Sequence, residues 1–181
     1  MCGIAGFMSN CGVTPAESVL DALDKALAHR GPDGSGRFRA NNFAMIQRRL
    51  AIIDLAGGDQ PLYEPEGAAL VANAEIYDYI EQRVALDGAT FATNSDCEVP
   101  LHLYRRDGVR FADTMRGMYA IALYDPLTER LLLARDPFGI KPLYYLETAD
   151  GFAFASEPQA LFAAGLGTAR LNSRARDTFL Q

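Results

Sequence analysis

The sequence has no tryptophan, two histidines and three cysteines among its 181 residues. An odd number of cysteines cannot pair off completely, so the chain is not expected to depend on a disulfide framework. The histidines and cysteines are scattered and lack the spacing of a zinc site, so no metal ion is expected either. A chain of this length buries about 70% of its unfolded surface, which allows a hydrophobic core alone to stabilise the fold.

Basic residues are also scarce, because 17 Lys and Arg stand against 23 Asp and Glu and leave a net charge of −6. Nucleic-acid binding needs a clustered basic surface, so no nucleic-acid partner is expected. No apolar run approaches the ~20 residues of a membrane span, and the N-terminus lacks the basic-then-apolar pattern of a signal peptide. We therefore expect no membrane contact and a cytoplasmic protein with reduced thiols.

Hydrophobic spacing and turn residues predict a chain that mixes helices and strands. Helices are predicted to begin at Thr14 and at Ser95 and to cover residues 157–164, with a loop over residues 31–36. Strands are predicted over residues 4–8, 43–47, 50–53, 69–72, 118–124, 131–134, 143–146 and 152–155. The strongest strand signals are at 118–124 and 131–134. Both runs are apolar on successive residues, which is typical of strands covered on both faces. We therefore predict an α+β architecture with two antiparallel sheets between helical layers.

Cys2 is the first candidate for chemistry, because aminopeptidase normally removes a Met1 that precedes a small residue. The new N-terminal residue would then carry both a thiol nucleophile and a free α-amine that can accept its proton. A cysteine in an apolar strand is otherwise ordinary core filling. Position two alone does not decide between these interpretations.

Seven motifs follow one another along nearly the whole chain: MCGIAGF at 1–7, HRGPDG at 29–34, RLAIID at 49–54, QPL at 60–62, NAEIY at 73–77, SDCEV at 95–99 and RDPFGIKPLYY at 135–145. The set resembles the glutaminase domain of glutamine-dependent asparagine synthetase, a class II (N-terminal nucleophile) glutamine amidotransferase. The resemblance implies a four-layer αββα N-terminal-nucleophile hydrolase fold over residues 1–170. Residues 171–181 would then be a tail or the start of a linker to an absent synthetase domain.

The resemblance also implies an activity, the hydrolysis of glutamine to glutamate and ammonia through a thioester on Cys2. Negative charge would build on the former carbonyl oxygen of the side-chain amide during the attack. By motif, the donors to that oxygen would be the side-chain amide of Asn73 and the backbone N–H of Ala74. Loss of one such donor typically costs about 10²–10³ in rate.

The other end of L-glutamine is a zwitterion, which calls for one cation and at least one carboxylate. By motif, Arg49 would bind the α-carboxylate, for which a planar guanidinium is well shaped. Asp96 and Glu75 match the positions that hold the α-ammonium. Taken singly, Arg49 could be a solvated charge at a strand edge and Asp96 a helix cap beside Ser95. Their occurrence together with Cys2 favours the binding roles.

Three substitutions depart from the family pattern near the expected chemistry. Ala74 replaces a glycine, and if residue 74 needs a positive φ the methyl group adds about 1–2 kcal/mol of steric cost. Asp78 replaces an asparagine, and a carboxylate near Cys2 would oppose thiolate formation. Gln47 replaces a histidine, with no effect that we can assign. Activity could therefore be reduced, and the alternative function is a catalytically impaired domain that binds glutamine or a protein partner.

The remaining polar and sulfur side chains are interpreted as structural. Cys11 and Cys97 are expected to fill space, and Arg135 with Asp136 is expected to form a buried polar network that fixes a hairpin. His29, in the second motif, is interpreted as a partner for the end of the first helix.

The resemblance implies no cofactor in this domain, because ATP and magnesium belong to the synthetase domain in that family. Nothing in the 181 residues resembles its Ser-Gly-Gly-x-Asp-Ser loop or a P-loop. The expected partner is therefore a synthetase domain or subunit, although an ammonia donor to a different acceptor is also consistent. A truncated half and a natural stand-alone subunit both remain open, as does a homodimer. Exposed apolar surface on the side poor in helices would favour truncation.

Overall fold

A computed structural model describes residues 1–180 of the chain. The first part of this region contains β1 (Gly3–Ser9), α1 (Glu17–Leu27), β2 (Gly34–Ala40), β3 (Phe43–Arg49), β4 (Leu62–Tyr63), β5 (Ala69–Ile76) and α2 (Tyr79–Ala85). The second part contains α3 (Val99–Asp107), β6 (Gly117–Asp125), β7 (Arg130–Arg135), β8 (Tyr144–Glu147), β9 (Gly151–Ala155), α4 (Pro158–Ala163) and α5 (Ser173–Phe179). No helix within residues 1–180 is long and apolar enough to span a membrane.

The strands form two sheets in which every pairing is antiparallel. The five-stranded sheet has the order β2-β3-β1-β9-β8, and the four-stranded sheet has the order β4-β5-β6-β7. The central β1 and β5 face each other across the space between the sheets. Antiparallel sheets of this kind bury one face in each sheet-to-sheet contact and leave the other for helices.

Three apolar layers hold the elements together. Helices α1 and α4 pack on the outer face of the five-stranded sheet through a cluster that includes Leu20, Leu23 and Leu161. Helix α3 packs on the outer face of the four-stranded sheet, where Leu101 and Leu103 are fully buried. The third layer fills the space between the sheets. The predicted four-layer αββα architecture is therefore confirmed.

The layer between the sheets is the most completely buried part of the molecule. Ile4, Phe43, Met45 and Phe154 are fully buried there, and the ring of Phe43 stacks on Tyr124 with 4.7 Å between centroids. Alternate residues of each strand point into this layer, as the pleat of a strand requires.

Several predicted boundaries are wrong, each for a local reason. Helix α1 begins at Glu17 and its N-cap Ala16 has no side-chain cap, because the Thr14 hydroxyl donates to the carbonyl of Asn41 instead. The helix predicted to start at Ser95 begins as a short 3₁₀ turn over Asp96–Glu98, in which the Ser95 hydroxyl accepts from the N–H of Cys97, and it becomes the α-helix α3 only at Val99. Part of the predicted loop over 31–36 belongs to β2, which pairs with β3 along its whole length.

Residues 50–53 form a loop rather than the predicted strand. The carbonyls of Ile53, Asp54 and Leu55 turn inward to accept hydrogen bonds from the guanidinium of Arg49. Ile52 is consequently exposed, so its hydrophobicity misled the prediction of a strand.

We expect Phe43→Ala to lower the free energy of unfolding by about 3–5 kcal/mol, because it leaves a cavity between the sheets. The matched control is Phe138→Ala, since that ring is 88% exposed and its loss is expected to cost less than about 0.5 kcal/mol. Urea titration of both variants measures the difference. Equal losses would show that the layer between the sheets does not carry the stability assigned to it.

Candidate active site

The layer between the sheets changes from apolar to polar at one end. On β3 the inward row runs from Phe43 and Met45 to Gln47 and Arg49. The same alternation on β5 leads from Val71 to Asn73 and then Glu75. On β1, Ile4 points inward, so Cys2 lies two residues earlier on the same face. The polar ends of three strands therefore converge on one region.

A cavity occupies this region, and all six predicted site residues line it: Cys2, Arg49, Asn73, Ala74, Glu75 and Asp96. Gln60, Cys97 and Lys141 line it as well. Residues from both sheets and from the start of the α3 segment thus meet in one place. Within residues 1–180, no group of three or more His, Cys, Asp or Glu side chains could hold a metal ion.

The Cys2 thiol lies at the wall of the cavity, held by its neighbours on two sides. The backbone N–H of Leu50 donates to Cys2 Sγ at 3.3 Å. The Arg30 Nε donates to the Cys2 carbonyl at 2.9 Å, and Arg30 in turn pairs with Glu157 at 2.7 Å. These contacts fix the residue that precedes β1 and leave its sulfur facing the cavity.

Two unused hydrogen-bond donors lie next to each other on β5. Asn73 is 2% exposed, and its Nδ2 has no hydrogen-bond partner anywhere in the described part of the chain. A buried donor without a partner is costly, which makes such groups rare in folded proteins. Its position in the cavity wall makes it available to a bound molecule.

The second donor is the backbone N–H of Ala74. On the same edge of β5, the Ala72 N–H donates to Gln60 Oε1 at 2.6 Å and the Ile76 N–H donates to Asp96 Oδ2 at 2.8 Å. Backbone N–H groups of alternate residues point to the same edge of a strand, so the Ala74 N–H points there too. The Ala74 N–H lies between two N–H groups that already have acceptors, and it faces the cavity.

The Arg49 guanidinium is nearly buried and is enclosed by the loop 50–59. Its side chain is 8% exposed, and it donates to the Asp54 carbonyl at 2.6 Å and to Asp59 Oδ1 at 2.8 Å. The carbonyls of Ile53 and Leu55 accept at 3.3 and 3.2 Å. A methyl group on Gly58 would lie 2.8 Å from Arg49 Nη2, so only glycine lets the loop approach this closely.

Asp54 holds the shape of that loop. It adopts φ = 50°, a left-handed conformation that aspartate tolerates better than most residues. Its carboxylate accepts from the N–H of Gly57 at 3.0 Å and from the N–H of Asn94 at 2.8 Å. The loop is therefore tied both to itself and to the segment that precedes Asp96.

Two carboxylates from the sequence motifs, Asp96 and Glu75, line the same cavity as Arg49, and their environments differ. Asp96 is 3% exposed, and burial raises its pKa although the Ile76 N–H opposes the rise. Glu75 is more accessible and lies 3.4 Å from Lys141 Nζ, whose side chain is 5% exposed. Lys141 was not predicted to belong to the site. Lys141 lies in the seventh motif, but nothing in that motif indicates a contact with the site. The contact arises only when the segment packs against β5.

The second cysteine of the cavity differs from Cys2 in its surroundings. Burial raises the pKa of the Cys97 thiol well above its usual range, and the nearby charge of Asp96 adds to the effect. Cys97 therefore stays protonated, as its interpretation as a space-filling residue requires. Cys11 is exposed, so the same interpretation is wrong for that residue.

The structure corrects both reasons for expecting reduced activity. In the described chain the residues other than glycine with positive φ are Asp54 and Glu129, so Ala74 carries no such strain. Asp78 does not line the cavity. Its carboxylate accepts from the Arg116 N–H at 2.9 Å and from Gln82 Nε2 at 3.0 Å, at the start of α2.

The hairpin network is confirmed in part. Asp136 is 2% exposed and its carboxylate accepts from backbone N–H groups of Phe138, Ile140 and Lys141. Arg135, its predicted partner, is exposed. His29 lies just after α1 and contacts Glu157 at 3.1 Å, outside the cavity.

Comparison with solved structures defines the class of the fold. Glutamine phosphoribosylpyrophosphate amidotransferase from B. subtilis is similar over 91% of this chain and 44% of its own, with a TM-score of 0.74 and 22% identity. A second structure, that of the allosteric regulatory enzyme of purine biosynthesis, is similar over 91% of this chain and 43% of its own, with a TM-score of 0.75 and 22% identity. The fold is thus that of the N-terminal-nucleophile amidotransferases.

The chain belongs to the family described as the glutamine amidotransferase domain, which it matches over residues 1–181. Glutamine-hydrolysing asparagine synthetase 2 of Bacillus subtilis (strain 168) is 39% identical over 90% of this chain. Asparagine synthetase 1 of the same organism is 41% identical over 91% of it. The chain spans 22% and 27% of the length of these two relatives. A fungal relative, the amidase chry2 of Gibberella zeae, is 37% identical over 92% of it.

Asp96→Asn is expected to stabilise the protein. Because burial raises the pKa of Asp96, its charged form costs folding free energy above the usual pKa of an aspartate, and the variant removes that cost. We expect the free energy of unfolding at pH 7 to rise, as measured by urea titration.

The matched control is Asp125→Asn. Burial alone would raise the pKa of Asp125, but the Tyr104 hydroxyl and the Leu127 N–H outweigh it, so the net shift is downward. Its charged form therefore stabilises the fold above the usual pKa of an aspartate and this variant is expected to lose stability at pH 7. Both differences should fade as the pH falls below the pKa values of the two groups. A destabilised Asp96→Asn would contradict the assigned cost of burial.

Proposed function

We propose that this domain hydrolyses the side-chain amide of L-glutamine to glutamate and ammonia, with Cys2 Sγ as the nucleophile. The observation that carries the proposal is a pair of unused donors that line the same cavity as the thiol, Asn73 Nδ2 and the Ala74 N–H. Hydrogen-bond donors that are already positioned where negative charge develops are the usual means of stabilising such an oxyanion.

The reaction would proceed in two balanced steps. The Cys2 thiolate attacks the amide carbon, and the former carbonyl oxygen takes the negative charge against the two donors. The carbon–nitrogen bond then breaks, the nitrogen leaves with an added proton as ammonia, and a thioester remains. Water attacks the thioester, glutamate is released and the thiol is restored.

A base must accept the proton of the thiol, and we assign this role to the α-amine of Cys2. Met1 lines the same cavity, so its removal would both free that amine and open the approach to the sulfur. The pairing of a nucleophile with its own N-terminal amine is an established way to activate it.

The zwitterionic end of glutamine is matched by charged side chains that line the same cavity. We assign the α-carboxylate to the guanidinium of Arg49 and the α-ammonium to Asp96 and Glu75. Binding of the ammonium would compensate the cost of burying a charged Asp96. Lys141 pairs with Glu75 and so would position this carboxylate rather than contact the reacting atoms.

The ammonia acceptor is proposed from the relatives. Since those relatives are asparagine synthetases and the chain covers about a quarter of their length, a synthetase domain or subunit that uses ATP and magnesium is the proposed partner.

Four further expectations stay predictions: the domain boundary at residue 170, the lack of a cofactor in this domain, a homodimer and a cytoplasmic location. The impaired-domain alternative has lost both of its supporting observations, at Ala74 and Asp78.

The nucleophile is tested by measuring glutamate release on protein whose loss of Met1 is verified by intact mass. Cys2→Ala is expected to reduce the rate to background, because it removes the only proposed nucleophile. Cys11→Ala is the matched control, since that thiol is exposed and lies outside the cavity. Equal rates for the parent and Cys2→Ala would contradict the proposal.

The donors are tested separately. Asn73→Ala is expected to lower kcat by about 10²–10³ with a much smaller change in KM, because the donor acts mainly on the transition state. Ala74→Gly is expected to leave kcat within about 2-fold, since residue 74 is unstrained in β5 and its N–H is kept. A large gain in kcat for Ala74→Gly would show that the methyl group distorts the oxyanion site after all.

A further inference from the structure

The guanidinium of Arg49 has no terminal N–H to spare. A guanidinium carries five N–H donors, four of them on its two terminal nitrogens. Nη1 donates to the Leu55 carbonyl and to Asp59 Oδ1, and Nη2 donates to the carbonyls of Ile53 and Asp54. A carboxylate that binds this fork in the bidentate manner must therefore displace at least one of the four acceptors.

The four acceptors differ in how firmly they are held. Three are backbone carbonyls of the loop 50–59, which Asp54 ties to the Asn94 N–H. The fourth is the side chain of Asp59, which contributes a single oxygen at 2.8 Å and is 81% exposed. Moving Asp59 needs only a side-chain rotation into solvent, whereas moving a carbonyl needs the loop to rearrange. Of the four acceptors, Asp59 is therefore the one whose displacement costs the least free energy.

The partner that leaves and the ligand that would arrive are chemically alike. Both are carboxylates, so Arg49 would be paired with one negative charge before and after an exchange. If Asp59 stayed in place, its negative charge would repel a second carboxylate that approaches the same guanidinium. Asp59 also lines a small polar cavity next to the site, together with Arg49, Gln47 and Gln60.

We propose that Asp59 is an internal competitor of the substrate, which pairs with Arg49 in the free protein and yields that place to the α-carboxylate of glutamine. The inference rests on the proposed glutaminase function. Asp59 thereby sets the affinity for glutamine without touching the reacting amide. It is a specificity-determining residue, because only a ligand that brings its own carboxylate can replace it on the guanidinium.

The test compares Asp59→Asn and Asp59→Ala with the parent. An ion pair with one exposed partner contributes only a modest free energy. Removing the Asp59 carboxylate is therefore expected to lower the KM for glutamine about 2- to 10-fold, with kcat changed less than about 2-fold. Asp113→Asn is the matched control, since it removes one negative charge at another exposed position. Unfolding midpoints confirm that the variants stay folded.

A second substrate separates competition from a general effect on the site. The compound 4-aminobutanamide keeps the reacting amide and the amine of glutamine but lacks the α-carboxylate. Its KM is expected to be equal or higher in Asp59→Asn, because it gains nothing from a vacant place on Arg49. An equal drop in KM for both substrates would overturn the exchange, as would an unchanged or raised KM for glutamine.

Binding measurements keep the result independent of turnover. Calorimetry with glutamine compares Cys2→Ala with the double variant Cys2→Ala/Asp59→Asn, which is expected to bind more tightly by the same 2- to 10-fold factor. Glutamine that binds both proteins equally, while the parent releases glutamate, overturns the role of Asp59 and leaves the glutaminase function standing. A lack of glutamine binding and turnover in every variant overturns both.

Discussion

The stacking of Phe43 on Tyr124, with the apolar side chains around it, joins the two sheets and determines where the site residues on β1, β3 and β5 lie. Because strand side chains alternate, each inward-facing row continues beyond this contact without a change of direction. Arg49, Asn73 and Cys2 lie at the ends of three such rows. The site is therefore the polar margin of the central core, and its geometry depends on the register of the strands that form the core.

That location has an energetic cost that the fold tolerates. Asn73 Nδ2 and Gln47 Nε2 are buried without partners among residues 1–180, and burial raises the pKa of Asp96. Groups of this kind destabilise a fold by leaving polar atoms unsatisfied or charges poorly solvated. Asn73 and Asp96 line the cavity, so the glutamine proposed to bind there would satisfy them. The cost is offset by the layer between the sheets, which is fully apolar only a few residues away.

Much of this arrangement could be predicted from the sequence, and the reasons differ between parts. The αββα layers follow from apolar strands that need cover on both faces, and the six site residues follow from the motifs. The position of Asn73 in the wall of the cavity did not follow from local pattern, because the predicted strand ended at Ala72. Its true end at Ile76 depends on pairing with β6, a contact distant in the sequence.

The loop 50–59 shows why the rest could not be predicted. Its isoleucines and leucine suggest a strand, yet Ile52 and Leu55 are exposed because the backbone carbonyls are needed elsewhere. Lys141 was missed for a related reason, since nothing in its own segment indicates that it will reach Glu75. Local hydrophobicity predicts burial only where no nearby charge competes for the backbone.

Arg49 places two opposing demands on its surroundings. A cation that is 8% exposed must be solvated by the protein when no ligand is bound, and in its proposed role it must also be able to bind the carboxylate of glutamine. Backbone carbonyls meet the first demand, because they are neutral acceptors that a tied loop can hold in place. They cannot meet the second without rearranging. An acceptor that is charged like the ligand, attached by one oxygen and free to rotate into solvent can meet both, and Asp59 has these three properties.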